Sequence, residues 1–100
     1  MNYRLKVLPE AKTDIAEIVE WYNNEQRGLG KRFFESLKLK LEFVRKNPHH
    51  WQIGYRDVRS VLIDKFPYQI LFWIDDSVNS IIVFAITHTS RNPKIWKNRR

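Results

Sequence analysis

Two apolar runs near the C-terminus, separated by a short polar segment, place the strongest constraint on how this chain folds. The first run is YQILFWI, residues 68–74, and the second is IIVFAI, residues 81–86. The polar residues 75–79 between them are typical of a hairpin turn. A strand that is apolar at nearly every position lies inside a sheet rather than at its edge. The pattern therefore predicts a pair of antiparallel strands, the first of them central.

The segments before this hairpin predict two more strands and two helices. Residues 3–8 alternate between apolar and charged side chains, which is typical of a short strand with one polar face. Apolar residues recur at helical spacing over residues 11–24 and again over residues 30–45. Residues 56–63 return to the alternation of a strand. The connection between the two helices is short, so the helices should form an antiparallel hairpin.

The order of these elements defines the expected architecture. It is β-α-α-β-β-β, an α+β fold in which a twisted antiparallel sheet carries the N-terminal helical hairpin on one face. The length of the chain fits one domain, residues 1–100. The sequence contains no linker, repeat or low-complexity segment.

The charge of the chain indicates an anionic partner. Lys and Arg number 18 and Asp and Glu number 11, which gives a net charge of +7. No acidic residue follows Asp76. A basic surface of this kind attracts nucleic acid, acidic protein segments or anionic membrane. The cations that follow Asp76 are Arg91, Lys94, Lys97, Arg99 and Arg100.

The absence of cysteine excludes disulfides, thiolate nucleophiles and cysteine-ligated zinc, and it suits a reducing compartment. The N-terminus lacks the apolar segment of a signal peptide, and no apolar run approaches the roughly 20 residues that span a bilayer. We therefore expect a cytoplasmic protein with no membrane contact. The pair His49 and His50 has no further ligand at a fitting spacing, so we expect neither a metal nor another cofactor.

Candidate chemistry lies at the end of the last strand. Imidazole titrates near neutral pH, so His88 would act as an acid or a base, and Arg91 would clamp a phosphate. Arg59, on the first strand of the meander, would supply a second cation. Together the three side chains would serve RNA cleavage by 2′-hydroxyl attack. Further contacts to an anion or a target are expected at Arg56, Lys65, Trp96, Lys97 and Arg99.

Structural roles are the alternative for the same residues. His88 would cap the strand or bond a backbone carbonyl, and Trp96 would pack the tail onto the sheet. Arg91 would pair with Asp64 or Asp75. Trp73 lies alongside Leu71 on the sheet face opposite the helices, where a large apolar side chain predicts a docking groove for a partner. The C-terminal tail is the other candidate to cover that face.

A series of short fragments identifies a family that the chain resembles. In this order and at these spacings, they resemble the RelE/ParE superfamily of toxins from bacterial type II toxin–antitoxin modules over nearly the whole chain. The resemblance implies a basic toxin that causes growth arrest and is neutralised, in a hetero-oligomer, by an acidic segment of a cognate antitoxin. The fragments are Ala11-x-x-Asp14-Ile15-x-x-Ile18, Trp21-Tyr22, Gly30-x-Arg32-Phe33, Asn47-Pro48, Val58-Arg59, Phe66-Pro67-Tyr68-Gln69-Ile70 and His88-x-x-Arg91-x-Pro93-x-x-Trp96.

The superfamily contains two mechanisms, and the resemblance leaves both open. One branch, similar to RelE, cleaves messenger RNA on the ribosome and would use His88, Arg91 and Arg59 here. The other, similar to ParE, inhibits DNA gyrase. Asp64 stands about where the ribonucleases carry an arginine, and their C-terminal tyrosine is missing, since the nearest aromatic residue is Trp96. The ending is more similar to the ParE-like and plasmid-stabilisation branch, so gyrase inhibition is the first expectation and mRNA cleavage the alternative.

Overall fold

The structure, a computed structural model, describes residues 3–100, and its elements follow the predicted order. The α+β class and the β-α-α-β-β-β order are confirmed, with a short third helix added near the C-terminus. The strand before the central hairpin is three residues shorter at its start than predicted, because Val58 N–H donates to the Tyr55 carbonyl at 2.9 Å and closes a turn there. The elements are β1 (Arg4–Val7), α1 (Pro9–Glu25), α2 (Leu29–Lys46), β2 (Arg59–Leu62), β3 (Tyr68–Asp75), a 3₁₀ turn (Asp76–Val78), β4 (Ser80–His88) and α3 (Lys94–Lys97).

The two long helices form the predicted hairpin, and glycine is required where they meet. Gly28 precedes α2 with φ of 85°, a left-handed conformation that glycine adopts without strain. Gly30 lies against α1: a Cβ placed there would be 2.4 Å from the Val19 carbonyl oxygen. The Asn23 side chain also accepts a hydrogen bond from Gly30 N–H at 2.9 Å. The backbones of the two helices therefore approach each other closely at their connection.

The sheet has the order β1-β4-β3-β2 and is mixed rather than wholly antiparallel. The meander of β2, β3 and β4 is antiparallel as predicted, but β1 pairs with β4 in parallel, from Arg4 opposite Ser80 to Val7 opposite Val83. The whole length of the helical hairpin separates β1 from the meander. A connection of that length returns the chain to the end where β1 began, which is what parallel pairing needs.

The main core lies between the sheet and the helical hairpin. Every third or fourth residue of α2 is buried there, including Phe33 and Leu37, and alternate residues of β3 meet them from the sheet, including Ile70 and Phe72. Burial of these side chains supplies the largest stabilising contribution, at about 1.5 to 3 kcal/mol for each large apolar residue. The sheet is thereby held at a fixed position relative to α1 and α2.

A second, smaller core covers the other face of the sheet. The pairing register shifts between Leu71 and Phe72, so β4 contains a bulge. Phe84 and Ala85 consequently both join Leu71 on the face away from the long helices. Trp96 of α3 packs on the same cluster and is only 8% exposed. The C-terminal segment is therefore part of the fold and covers this face.

Candidate functional site

A cleft of about 570 Å³ opens where β4 ends, between that strand, α1 and the C-terminal segment. We call it the β4 cleft. Its lining includes His88 and Arg91, as the sequence predicts, together with Tyr68 of β3. Two carboxylates of α1, Asp14 and Glu17, line it as well. The β4 cleft therefore combines groups of both charges, and it is not a purely cationic phosphate site.

His88 is held in one orientation by two neighbours. Its ring centre lies 5.1 Å from that of Tyr68 in an edge-to-face arrangement. Its Nδ1 accepts a hydrogen bond from the Ser90 backbone N–H at 3.0 Å, and Ser90 Oγ lies 2.7 Å from the same nitrogen. A backbone N–H only donates, so Nδ1 carries no proton and the neutral ring is protonated at Nε2. A general base acting through Nε2 would need the opposite tautomer.

Arg91 is the cation that the β4 cleft leaves available. Its backbone N–H donates to the His88 carbonyl at 3.0 Å, which closes the turn after β4. Within residues 3–100, no carboxylate forms an ion pair with Arg91. Burial raises the pKa of the Tyr68 hydroxyl, and the nearby charge of Arg91 opposes part of that rise. The expected alternative, a pairing of Arg91 with Asp64 or Asp75, is not found.

Asp14 and Arg99 form an ion pair at the side of the cleft. One guanidinium nitrogen of Arg99 lies 2.7 Å from Asp14 Oδ2 and the other lies 3.2 Å from Oδ1. Asp14 Oδ2 also accepts the Ile86 backbone N–H at 3.0 Å, and Arg99 donates to the Phe84 carbonyl at 3.2 Å. β1 pairs with β4 only as far as Val83. The ion pair thus supplies hydrogen-bond partners to the backbone of β4 beyond the point where β1 ends.

These bonds change the role expected for Arg99. The sequence predicts a cation that binds an anion or a target, whereas the structure places Arg99 inside the fold. The hydrogen bond to Asp14 is the main cause that raises the pKa of the Arg99 guanidinium, against the smaller opposing effect of burial. Arg99 is therefore not a free cation in this conformation.

Arg59 lies apart from the β4 cleft. Arg59 of β2 pairs with Phe72 of β3, whereas His88 of β4 pairs with Tyr68 of β3. Phe72 and Tyr68 are four residues apart along β3. At about 3.3 Å per residue that separation is about 13 Å along the strand. A guanidinium nitrogen of Arg59 donates to the Trp51 carbonyl. The expected trio of His88, Arg91 and Arg59 is therefore not brought together, because Arg59 of β2 and His88 of β4 pair with β3 residues that are four positions apart.

The predicted cations Arg56 and Lys65 occupy turns at opposite ends of β2. Both have the left-handed conformation that residues with a Cβ rarely adopt, with φ of 54° and 69°. Lys65 follows Asp64, whose carboxylate is paired with Lys40 at 3.1 Å. Asp64 therefore has a partner of its own on α2, and Lys65 stands beside a neutralised acid.

The groove expected at Trp73 and Leu71 is filled by the chain itself. Leu71 is 1% exposed beneath Trp96 and its neighbours. The guanidinium of Arg100 lies 3.8 Å from the centre of the Trp73 ring, and it forms two hydrogen bonds with the Asp57 carboxylate. Trp96 therefore packs the C-terminal segment onto the sheet, which is the structural role considered above as the alternative to target binding. The C-terminal segment, rather than an open groove, occupies this face of the sheet.

Two further features concern the described part of the chain as a whole. Among residues 3–100, no three His, Cys, Asp or Glu side chains converge as metal ligands would. No helix in the same range combines the length and the apolar character needed to cross a membrane.

Comparison with known families decides what kind of protein this is. The family model for the ParE toxin of the type II toxin–antitoxin system parDE matches residues 5–93. The chain belongs to this family. A search of curated proteins finds no significant match for the toxin's sequence.

Solved structures share the fold of this toxin at low sequence identity. A chain from the chromosomal ParDE system of Pseudomonas aeruginosa is 14% identical, with 86% of this chain and 95% of that chain covered and a TM-score of 0.75. A mutant of the E. coli toxin RelE in the free state is 19% identical, with 90% and 86% covered and a TM-score of 0.69. The intact E. coli RelBE complex contains a chain 21% identical, with 89% and 99% covered and a TM-score of 0.67.

One residue of the toxin's site was overlooked in the sequence although a signal was present. That residue is Asp14 of α1, whose carboxylate lies against β4 and accepts the Ile86 backbone N–H. Asp14 stands three residues after Ala11 and four before Ile18, so it lies on the apolar stripe itself. A charged residue in that position is expected to have a partner, and here the partner is Arg99. Tyr55, which contacts two cations, has no comparable signal because it lies in a loop.

Proposed function

We propose that the chain arrests growth as a toxin that inhibits DNA gyrase, the activity implied by its resemblance to the ParE branch. The observation that carries this choice is the separation of Arg59 from His88 and Arg91. A ribonuclease of the expected kind needs its cations around the same phosphate as its acid and base. Arg59 instead donates to the Trp51 carbonyl, and it pairs with Phe72, four residues along β3 from the partner of His88.

The state of His88 supports the same proposal. Its Nδ1 is occupied by the Ser90 N–H, so its free nitrogen is a proton donor in the neutral ring. The hydroxyl of Tyr68 is the other titratable group beside it, and burial raises the pKa of that hydroxyl further above neutral. In this arrangement neither His88 Nε2 nor the Tyr68 hydroxyl supplies the base that RNA cleavage needs.

Ribosome-dependent cleavage of mRNA stays the second candidate. It is favoured by one observation: His88, Arg91 and Tyr68 line one cleft, with Arg91 unpaired among the described residues. In that reading the neutral His88 would donate a proton to the leaving oxygen, and another group would have to serve as base.

Two assays on purified toxin separate the candidates. Under the gyrase proposal, increasing toxin blocks supercoiling of relaxed plasmid by gyrase, while relaxation of the same plasmid by a type I topoisomerase continues. The second reaction is the matched control, because a protein of charge +7 could hinder any enzyme on DNA by covering it. Normal supercoiling at saturating toxin, together with cleavage of mRNA in a translation extract, would exclude the proposal.

We further propose a cognate antitoxin as the toxin's protein partner. The solved structures of RelE-like chains include complexes of E. coli RelE with RelB and of archaeal RelE with RelB. The surface that suits such a partner is the groove on the outside of the helical hairpin, about 470 Å³ and lined by Ile15, Val19 and Phe34, with Lys12 and Lys31 beside them. An amphipathic segment with acidic flanks matches its apolar floor and its two cations.

The helical groove replaces the expected site at Trp73 and Leu71, which the C-terminal segment covers. Ala16 lines the groove and is exposed, so Ala16→Glu adds a repelling charge without disturbing the core. We expect it to weaken antitoxin capture, whereas Thr13→Glu, an exposed position on the same helix outside the groove, leaves capture intact. Equal capture by both variants would place the antitoxin elsewhere.

A further inference from the structure

Two cations from distant parts of the chain converge on the ring of Tyr55. The Arg56 guanidinium lies 5.3 Å from the ring centre, and Lys97 Nζ lies 4.7 Å from it. The two charges are therefore no farther apart than the sum of these distances. Arg56 belongs to the turn before β2 and Lys97 to α3, so the arrangement exists only because the C-terminal segment folds back over the sheet.

The structure divides Arg56 and the basic residues of the C-terminal segment into used and available cations. Arg99 is bound to Asp14, and Arg100 to Asp57, so their charges are neutralised within the fold. Among residues 3–100, neither Arg56 nor Lys97 forms an ion pair. The Asp57 carboxylate, the acid nearest in sequence to Arg56, is already occupied by Arg100. Two of the cations in this region are thus left for a ligand.

Arg56 has the geometry to bind a phosphate. Only its Nε is used, as a donor to the Tyr55 hydroxyl at 3.1 Å, and no hydrogen bond within residues 3–100 uses its two terminal nitrogens. That leaves the fork with which arginine binds phosphate. The side chain is exposed, and its backbone has φ of 54°, which costs free energy for a residue with a Cβ. A strained, exposed arginine is expected where function, rather than stability, selects the residue.

We propose that Arg56 and Lys97, arranged around Tyr55, bind the phosphodiester backbone of a nucleic acid. A partly buried aromatic ring with two unpaired cations beside it combines the elements of nucleic-acid surfaces, which use cations for the phosphates and rings for stacking. An acidic protein segment would use the cations, but it carries no bases to stack on the ring. The proposal concerns the toxin by itself and holds whether or not gyrase is its target.

The test measures binding of purified toxin to short fluorescent oligonucleotides by anisotropy over a range of salt concentrations. Single-stranded DNA, duplex DNA and RNA of the same sequence distinguish the kinds of backbone, and a poly-glutamate peptide represents an acidic protein segment. Arg56→Asn is the first variant, because asparagine tolerates the left-handed conformation and should keep the fold. Lys97→Gln and the double variant complete the series.

Lys38→Gln is the matched control, because Lys38 lies 5.3 Å from the Phe34 ring on the helical hairpin and carries the same charge in the same kind of contact. We expect the double variant to weaken binding of at least one nucleic acid about tenfold near 0.1 M salt and to reduce the slope of log affinity against log salt by about 1 to 2. Lys38→Gln should change affinity less than about twofold.

Three results would overturn the proposal. The first is an equal loss of affinity in Lys38→Gln, which would mean that only net charge matters. The second is an absence of nucleic-acid binding by the wild type. The third is tighter binding of poly-glutamate than of every oligonucleotide. Unchanged melting temperatures of Arg56→Asn and Lys97→Gln exclude unfolding as the cause of any loss. Gyrase is absent from this assay. A result that overturns the nucleic-acid proposal would therefore leave the gyrase proposal untouched.

Discussion

Arg99 and Asp14, 85 residues apart in the sequence, are joined by two hydrogen bonds of 2.7 and 3.2 Å. Through the same side chains the pair also bonds the Ile86 N–H and the Phe84 carbonyl of β4. One ion pair thereby attaches the C-terminal segment to α1 and to the part of the central strand that β1 does not reach.

Removing the Asp14 carboxylate should destabilise the toxin. Asp14→Ala leaves Arg99 and the Ile86 N–H without their acceptor in a partly buried place, where an unsatisfied group costs about 1 to 3 kcal/mol. Urea unfolding measures the loss. Glu42→Gln, which breaks an exposed pair with Arg45 within α2, is the control and should leave the unfolding midpoint unchanged. Equal midpoints for Asp14→Ala and the wild type would show that the pair adds no stability.

The Asp57 carboxylate should titrate below its usual range. Its hydrogen bond with Arg100 is the main cause that lowers the pKa of this group from the ordinary 3.8. Because the pKa is lower in the folded state, the stabilisation is complete above about pH 3.8 and disappears as the pH falls through the folded-state value. NMR titration of Asp57 should show the lowered pKa, and Arg100→Gln should return it towards 3.8. An identical titration in both proteins would contradict the role given to Arg100.

Gly30→Ala should destabilise the helical hairpin even though alanine favours helices. The added Cβ would lie 2.4 Å from the Val19 carbonyl oxygen, so α1 and α2 must separate, at a cost of about 1 to 3 kcal/mol. Gly54→Ala is the comparison, since the nearest atom to its Cβ would be 3.8 Å away. Thermal unfolding should show a lower midpoint for Gly30→Ala and little change for Gly54→Ala. The reverse order would mean that the helices pack less closely than described.

Trp96→Ala should uncover the second core. Trp96 is 8% exposed against Phe84 and Leu71, and loss of a buried Trp side chain costs about 3 to 5 kcal/mol. We expect a lower free energy of unfolding and increased binding of the dye ANS to the bared face. Trp21→Ala is the matched variant, because Trp21 is 54% exposed and should contribute much less. A Trp96→Ala protein as stable as Trp21→Ala would show that the tail is not packed on the sheet.

His88 should be protonated at Nε2 when neutral. Its Nδ1 accepts the Ser90 N–H at 3.0 Å, which excludes a proton on Nδ1. Long-range proton–nitrogen NMR spectra above pH 8 distinguish the two tautomers. Detection of the Nδ1-protonated form would remove this objection to His88 as a base and would strengthen the mRNA-cleavage alternative.

The local pattern of the sequence determined the elements and their order. Hydrophobic periodicity is a property of neighbouring residues, so residues 68–74 and 81–86 identified β3 and β4 and the helical spacing identified α1 and α2. It also determined that Trp73 and Leu71 share a sheet face, because side chains alternate along a strand. The family followed from the same residues, since its fragments are short and lie in a fixed order.

Only the tertiary structure decided which charged residues are available and which are used by the fold. The sequence gives the same charge to Arg59, Arg91, Lys97, Arg99 and Arg100, but Arg59 is bound to the Trp51 carbonyl, Arg99 to Asp14 and Arg100 to Asp57. These partners are 8, 85 and 43 residues distant. The longer two pairings depend on how the C-terminal segment crosses the sheet and reaches α1. No local periodicity encodes that path, because it is set by the packing of Trp96 on the sheet face opposite the long helices.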